Sequence, residues 1–272
     1  MPLHVIGSAL LAAMVTATGH ASAGRAADPP PGFTPAAMQA ARHHASEHTA
    51  VLCKAREWEW LPSGLVAYND VFGRHYSECI SVRPSGFKIV RARTGWEWGA
   101  YPDVFVGCEY NVCSRTALPQ RPIRDFTDLT MTLYTRFNAV AGDDSTDWWF
   151  DRMRPGRSRS HPNGAEIMVW LAWREVPMRN GYVVSLDGQS WYLEHWRAYA
   201  DHTHWQYIQL RWLGSHPNPS LRLNMLPVLR YLERLGWLRP SWYPSSLDAG
   251  FEVVNGGVGN RVVKYSVSIR AK

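Results

Sequence analysis

Beyond about residue 51 the chain is a succession of short strand-like runs, punctuated by Gly, Pro, Asn and Asp. Such runs fall at residues 65–68, 78–82, 88–93, 131–138, 146–150, 165–173, 182–185, 190–195, 207–212, 246–254 and 262–269. A period of two is the mark of a strand with one buried face, and many short strands between turn residues specify an all-β sandwich or barrel. One stretch departs from the pattern. Residues 224–236 carry apolar side chains at helical spacing, with Asn224 placed to cap the start and Gly236 to end it. Pro227 falls in the first turn, where a helix tolerates it. The expected fold is all-β, a sandwich of two antiparallel sheets with one α-helix packed on the convex side.

Two strands hold misplaced charges. In residues 165–173 one face receives Ile167, Val169 and Leu171, which suits a core, while the other receives Glu166, Met168 and Trp170. An acid among Met and Trp is neither a solvated surface nor a core, because Glu is rarely buried unless paired or at work. Residues 147–151 repeat the arrangement, with Trp148 and Phe150 on one side and Asp147, Trp149 and Asp151 on the other. Asp151 borders an arginine-rich loop and reads as an ordinary surface acid. Near the C-terminus Asp248, Gly250, Glu252 and Val254 share a face, and Ala249, Phe251 and Val253 point away. Three segments can thus bring acids and indoles to one concave surface. Two carboxylates in one cleft are the minimum equipment for cleaving a glycosidic bond.

The rest of the sequence narrows the setting. Residues 5–18 are uncharged and mostly apolar, and Ala21-Ser22-Ala23 follows as a cleavage pattern, so residues 1–23 read as a secretory signal peptide. That run is shorter than the roughly 20 apolar residues of a spanning helix, and no membrane anchor is expected. Residues 24–50, with Pro29-Pro30-Pro31-Gly32, read as a flexible linker before a domain at 51–272. The linker's His44-Ala45-Ser46-Glu47-His48 matches a metalloprotease pattern in form only, with no catalytic domain around it. Cys53, Cys79, Cys108 and Cys113 fit an oxidising compartment and permit three pairings. Sequence order favours Cys53–Cys79 and Cys108–Cys113. Their spacing does not suit zinc, and no metal or cofactor is expected. Net charge is +6, much of it from Arg152, Arg154, Arg157 and Arg159, which read as a solvated loop, not a nucleic-acid site. Fourteen Trp and twelve Tyr exceed ordinary core needs and suit sugar binding, since pyranose rings stack their C–H faces on aromatic rings.

In order along the chain, these residues resemble glycoside hydrolase family 12. The likeness spans most of residues 53–270. Residues 68–73, Tyr-Asn-Asp-Val-Phe-Gly, stand for the family's Asn-Asn-x-Trp-Gly turn, and residues 146–151, Thr-Asp-Trp-Trp-Phe-Asp, for Tyr-Asp-Ile-Trp-Phe-Asp. Glu166-Ile167-Met168-Val169-Trp170 is similar to the nucleophile strand, and Ala249-Gly250-Phe251-Glu252 to the acid/base strand. Ala100-Tyr101-Pro102, the pair Cys108 and Cys113, Asp187 to Trp191, the helix and Ser241-Trp242-Tyr243 fall in the family's order as well.

The resemblance implies a β-jelly-roll and a secreted, monomeric endo-β-1,4-glucanase that retains anomeric configuration. It implies Glu166 as nucleophile, Glu252 as general acid/base and Asp147 as the acid that orients the nucleophile. Asn69, Phe72, Trp149, Met168 and Trp170 are the expected substrate contacts, and a β-glucan polysaccharide the partner. Three positions depart from the family pattern: Asp70 replaces Asn, Phe72 replaces Trp, and Val254 stands where a Trp commonly follows the acid/base. Fewer stacking platforms predict weak activity on plain cellulose through a raised KM. The alternatives are a hydrolase or transglycosylase for xyloglucan or mixed-linkage glucan, and a non-catalytic carbohydrate-binding jelly roll. The three acids speak against the last.

Overall fold

A computed structural model describes residues 50–155, 163–200, 203–214, 216 and 219–272. The expected signal peptide, nearly all of the expected linker, and Arg157 and Arg159 lie outside them. In chain order the strands are β1 (Val51–Leu52), β2 (Glu57–Trp60), β3 (Val66–Asn69), β4 (Ser77–Arg83), β5 (Gly86–Arg93) and β6 (Asp103–Glu109). They continue as β7 (Val112–Cys113), β8 (Phe126–Arg136), β9 (Ala141–Asp151), β10 (Ala165–Arg174), β11 (Gly181–Leu186) and β12 (Gln189–Ala200). After these come β13 (Thr203–Trp212), β14 (Ser220–Asn224), helix α1 (Leu226–Arg234), β15 (Tyr243–Gly250), β16 (Val253–Asn255) and β17 (Arg261–Ala271).

The strands form two sheets. One runs β1-β4-β5-β17-β8-β14; the other runs β11-β12-β13-β10-β9-β15-β6-β3-β2, with β16 on β9 and β7 on β6. Neighbours are antiparallel, with β10 and β13 as a parallel pair. The inner faces meet in one core. Ile167, Val169 and Leu171 of β10 and Trp148 and Phe150 of β9 lie in it, as the alternation predicts, together with Leu129, Met131 and Leu133 of β8. Each fully buried side chain of this size contributes roughly 1.5–3 kcal/mol.

Helix α1 packs against β8 and buries Val228, Leu229 and Leu232. The Asn224 carboxamide oxygen accepts the Leu226 N–H at 3.1 Å, and Gly236 closes the helix at φ +74°. The cysteines pair as Cys53–Cys79 and Cys108–Cys113. The first closes a loop with a sequence separation of 26, and by loop-closure entropy is worth roughly 3 kcal/mol. No described helix is long and apolar enough to cross a membrane.

Candidate active site

Glu166 stands on the face of β10 that turns away from the core. Its antiparallel partner is Trp149 and its parallel partner Tyr207, while Met168 lies opposite Asp147. The pleat therefore puts Glu166, Trp149, Met168 and Asp147 on one surface. Met168 and Trp170 pack there with Tyr101, and the Tyr207 hydroxyl meets the Met168 sulfur. Trp149 lies 5.9 Å from Trp205, and Trp170 lies 6.2 Å from Trp98, ring centre to ring centre.

Glu166 is buried, and its carboxylate accepts a hydrogen bond from the Trp205 indole N–H. It also shares a side-chain hydrogen bond with Asp147. Burial raises both carboxyls well above their ordinary range, and the charges of neighbouring acids add to it. Two acids so close hold one proton between them. Each acid also meets an indole, Glu166 that of Trp205 and Asp147 that of Trp149, and both contacts favour the charged form.

Glu252 comes from a break in the sheet. The run expected as one strand at 246–254 ends at Gly250 and resumes at Val253, so Phe251 turns into the core against Phe87 and Phe137 while Glu252 is left in the gap. The Glu252 carbonyl accepts the Asp143 N–H at 2.9 Å. Gly142, at φ +136°, makes this approach possible, since a Cβ there would sit 2.2 Å from that carbonyl oxygen. Burial pushes the Glu252 carboxyl to about 7, and its charge in turn raises Glu166. Glu166, Asp147 and Glu252 are thus one electrostatic group drawn from three segments.

Other expected positions fare differently. Asn69 is not on the cleft. It shares the core-facing parity of Ala67, is fully buried, and gives its amide to the Lys54 and Glu78 carbonyls, so its role is to tie the N-terminal strands together. Phe72 is 48% exposed in a turn whose N–H groups at Phe72 and Gly73 donate to the Gly99 carbonyl. Asp151 is buried, not a surface acid, and burial brings it to about 7. Sequence reasoning missed Trp205, which lies in a segment without family likeness. The alternation of Trp205, Tyr207, Gln209 and Arg211 with the core residues Ile208 and Leu210 would have marked it.

Behind the site lie Asp248, which the sequence pattern already placed with Glu252, and Glu109, which it did not mark. Asp248 accepts from the Tyr101 hydroxyl at 2.9 Å and from the Asp147 N–H at 3.0 Å, and Glu109 accepts from the Ser246 hydroxyl at 2.7 Å. Among the described residues no such group is arranged to hold a metal ion. Burial raises Asp70 to about 6, Glu109 to about 7, and Glu78 and Asp144 to about 8. Unfolded, these acids would titrate near 4, so the folded state binds more protons than the unfolded one between about pH 4 and 8. Stability must then fall as pH rises through that window. A tenfold difference in proton affinity between the two states is worth about 1.4 kcal/mol, so the melting temperature is expected to be lower at pH 8 than at pH 5 by on the order of 10 °C. Scanning calorimetry at the two pH values tests this, and an equal or higher Tm at pH 8 would refute it.

No protein-family model matches the sequence, and no curated protein matches it either. Solved structures do. An endoglucanase from Rhodothermus marinus superposes with a TM-score of 0.73 at 27% identity, over 82% of this chain and 100% of its own. The chain has the fold of the family 12 glycoside hydrolases. A metagenome-derived family 12 endoglucanase gives 0.73 at 25% identity over 84% and 100% of the two chains. The fold also extends to a family 12 xyloglucanase from Bacillus licheniformis, at 0.68 and 20% identity over 81% and 100%. The family 12 jelly roll expected from the sequence is the architecture observed, including its helix and two sheets.

Proposed function

We propose that the protein is an exported, monomeric β-1,4-glucan endo-hydrolase that works with retention of configuration. The observation that carries this reading is the buried Glu166 carboxyl, held between the Trp205 N–H and Asp147 and grouped with Glu252. The Glu166 carboxylate attacks the anomeric carbon as Glu252 gives its proton to the departing glycosidic oxygen. A covalent glycosyl-enzyme results. Glu252, now ionised, takes a proton from water as that water attacks the same carbon, which frees Glu166 and restores the acid. Glu252 at about 7 remains protonated in mildly acidic solution, as its first role requires. Trp149 supplies a half-buried apolar face for a sugar ring, Trp170 lies buried beneath the Arg211 guanidinium and supports the floor, and Asp147 fixes the nucleophile's orientation. Two disulfides suit a protein that works outside the cytoplasm.

The fold similarity to endoglucanases and a xyloglucanase supports a glucan as substrate. Incubation with carboxymethylcellulose, lichenan, xyloglucan and xylan, with reducing ends counted, is expected to show cleavage of at least one β-glucan. Proton NMR of the fresh product is expected to show the β-anomer first. Failure to release reducing ends from any of them, or an initial α-anomer, would overturn the proposal.

A further inference from the structure

Outside the cluster of acids, a cavity of about 470 Å³ is lined by Lys88, Arg136, Phe137, Asn138, Arg174, Gly259 and Arg261. Four of these residues are cations, drawn from β5, β8, β10 and β17. Their placement is not a scatter of surface charge. Arg261 lies directly opposite Lys88 on one neighbouring strand and opposite Arg136 on the other, so three cations form a row across three adjacent strands. Strands lie about 4.8 Å apart, and like charges facing one another across a ladder are destabilising. None of the four has an ion-pair partner among the described residues.

Two of the guanidiniums are held in place without being neutralised. Arg174 donates to the Ala139 carbonyl at 3.2 Å and lies over the buried Phe137 ring. Arg136 donates to the Tyr134 hydroxyl through Nε and one terminal nitrogen. Gly259, at φ +98°, adds no side chain to the wall. Burial lowers the Arg261 pKa, and Arg136 and Arg83 press the same way, opposed by Tyr134 and by no carboxylate. Fixed guanidinium forks with spare N–H groups match the oxygens of a tetrahedral anion and lose little freedom on meeting one. Repulsion retained across this open depression is relieved when an anion enters.

The geometry points to a second binding site in this pocket, for a multiply charged oxyanion of the phosphate or sulfate type, held by Arg136, Arg174 and Arg261 with Lys88. Such a group comes as a free ion or on an acidic polysaccharide. The site does not depend on the glucan-hydrolase reading, because it shares no residue with the acids. Thermal unfolding of the full chain in inorganic phosphate or sulfate, against sodium chloride of equal ionic strength, tests it. Saturable stabilisation of about 3–5 °C over chloride is expected. Arg261→Gln should raise the Tm in chloride, by removing repulsion, and abolish the extra shift; Arg174→Gln should abolish the shift without disturbing the ladder. A sulfated oligosaccharide that displaces phosphate assigns the site to a polymer, and one that fails to displace it assigns the site to the free ion. A phosphate shift no larger than that of chloride, or one of full size in both variants, overturns the proposal.

Discussion

Glu166→Gln is expected to lower glucan cleavage by at least about a thousandfold and to leave the protein folded. Gln matches Glu in volume, and its amide oxygen can still accept the Trp205 N–H. What it loses is the charge and lone pair that attack the anomeric carbon. It also removes a buried carboxylate that faces Asp147 and Glu252, so the Tm of the variant should equal or exceed that of the wild type. Kinetics on the most responsive glucan, with calorimetry on the same preparation, separate the two effects. Activity within tenfold of wild type would remove Glu166 from the reaction. Activity lost together with the fold would mean that Glu166 is structural.

The second large effect concerns Glu252. Its carboxyl, near 7 in the fold through burial, is protonated below that pH and ionised above it. Because the acid form must donate to the leaving oxygen, wild-type kcat/KM should fall as pH rises through about 7. Glu252→Gln cannot donate a full proton. It is expected to lose about 10²–10⁴-fold on polysaccharide, and much less in glycosylation with an aryl cellobioside, whose phenolate departs unaided. The alkaline limb should be missing from the variant's remaining activity. An unchanged limb, or an equal loss on both substrates, would assign the proton to another group, with Asp147 the first to test.

The sequence already contained what local physics controls. Alternation along residues 165–173 separates Ile167, Val169 and Leu171 from Glu166, Met168 and Trp170, and the pleat allows no other division, so the core face and the cleft face were legible. The same holds for Trp148 and Phe150 against Asp147 and Trp149, for the helix at Leu226–Arg234, and for cysteines that pair in sequence order. Parity, read one strand further, would have excluded Asn69 from the cleft, because it falls on the side of Ala67.

Tertiary structure decided what depends on which strands become neighbours. Parallel pairing of β13 with β10 sets Tyr207 opposite Glu166 and delivers the Trp205 N–H to its carboxylate. Nothing local to residues 203–212 specifies that partner. The break after Gly250 that frees Glu252 depends on Phe251 finding Phe87 and Phe137, and on the bare backbone of Gly142 beneath the Glu252 carbonyl. Long-range closure also determines how strongly the acids are desolvated, and hence which of them holds a proton at neutral pH. Lys88, Arg136 and Arg261 stand far apart in the chain and become a row of charge only when β5, β17 and β8 align. Side-chain period is a property of the strand itself, whereas charge proximity and burial are properties of the assembled sheets.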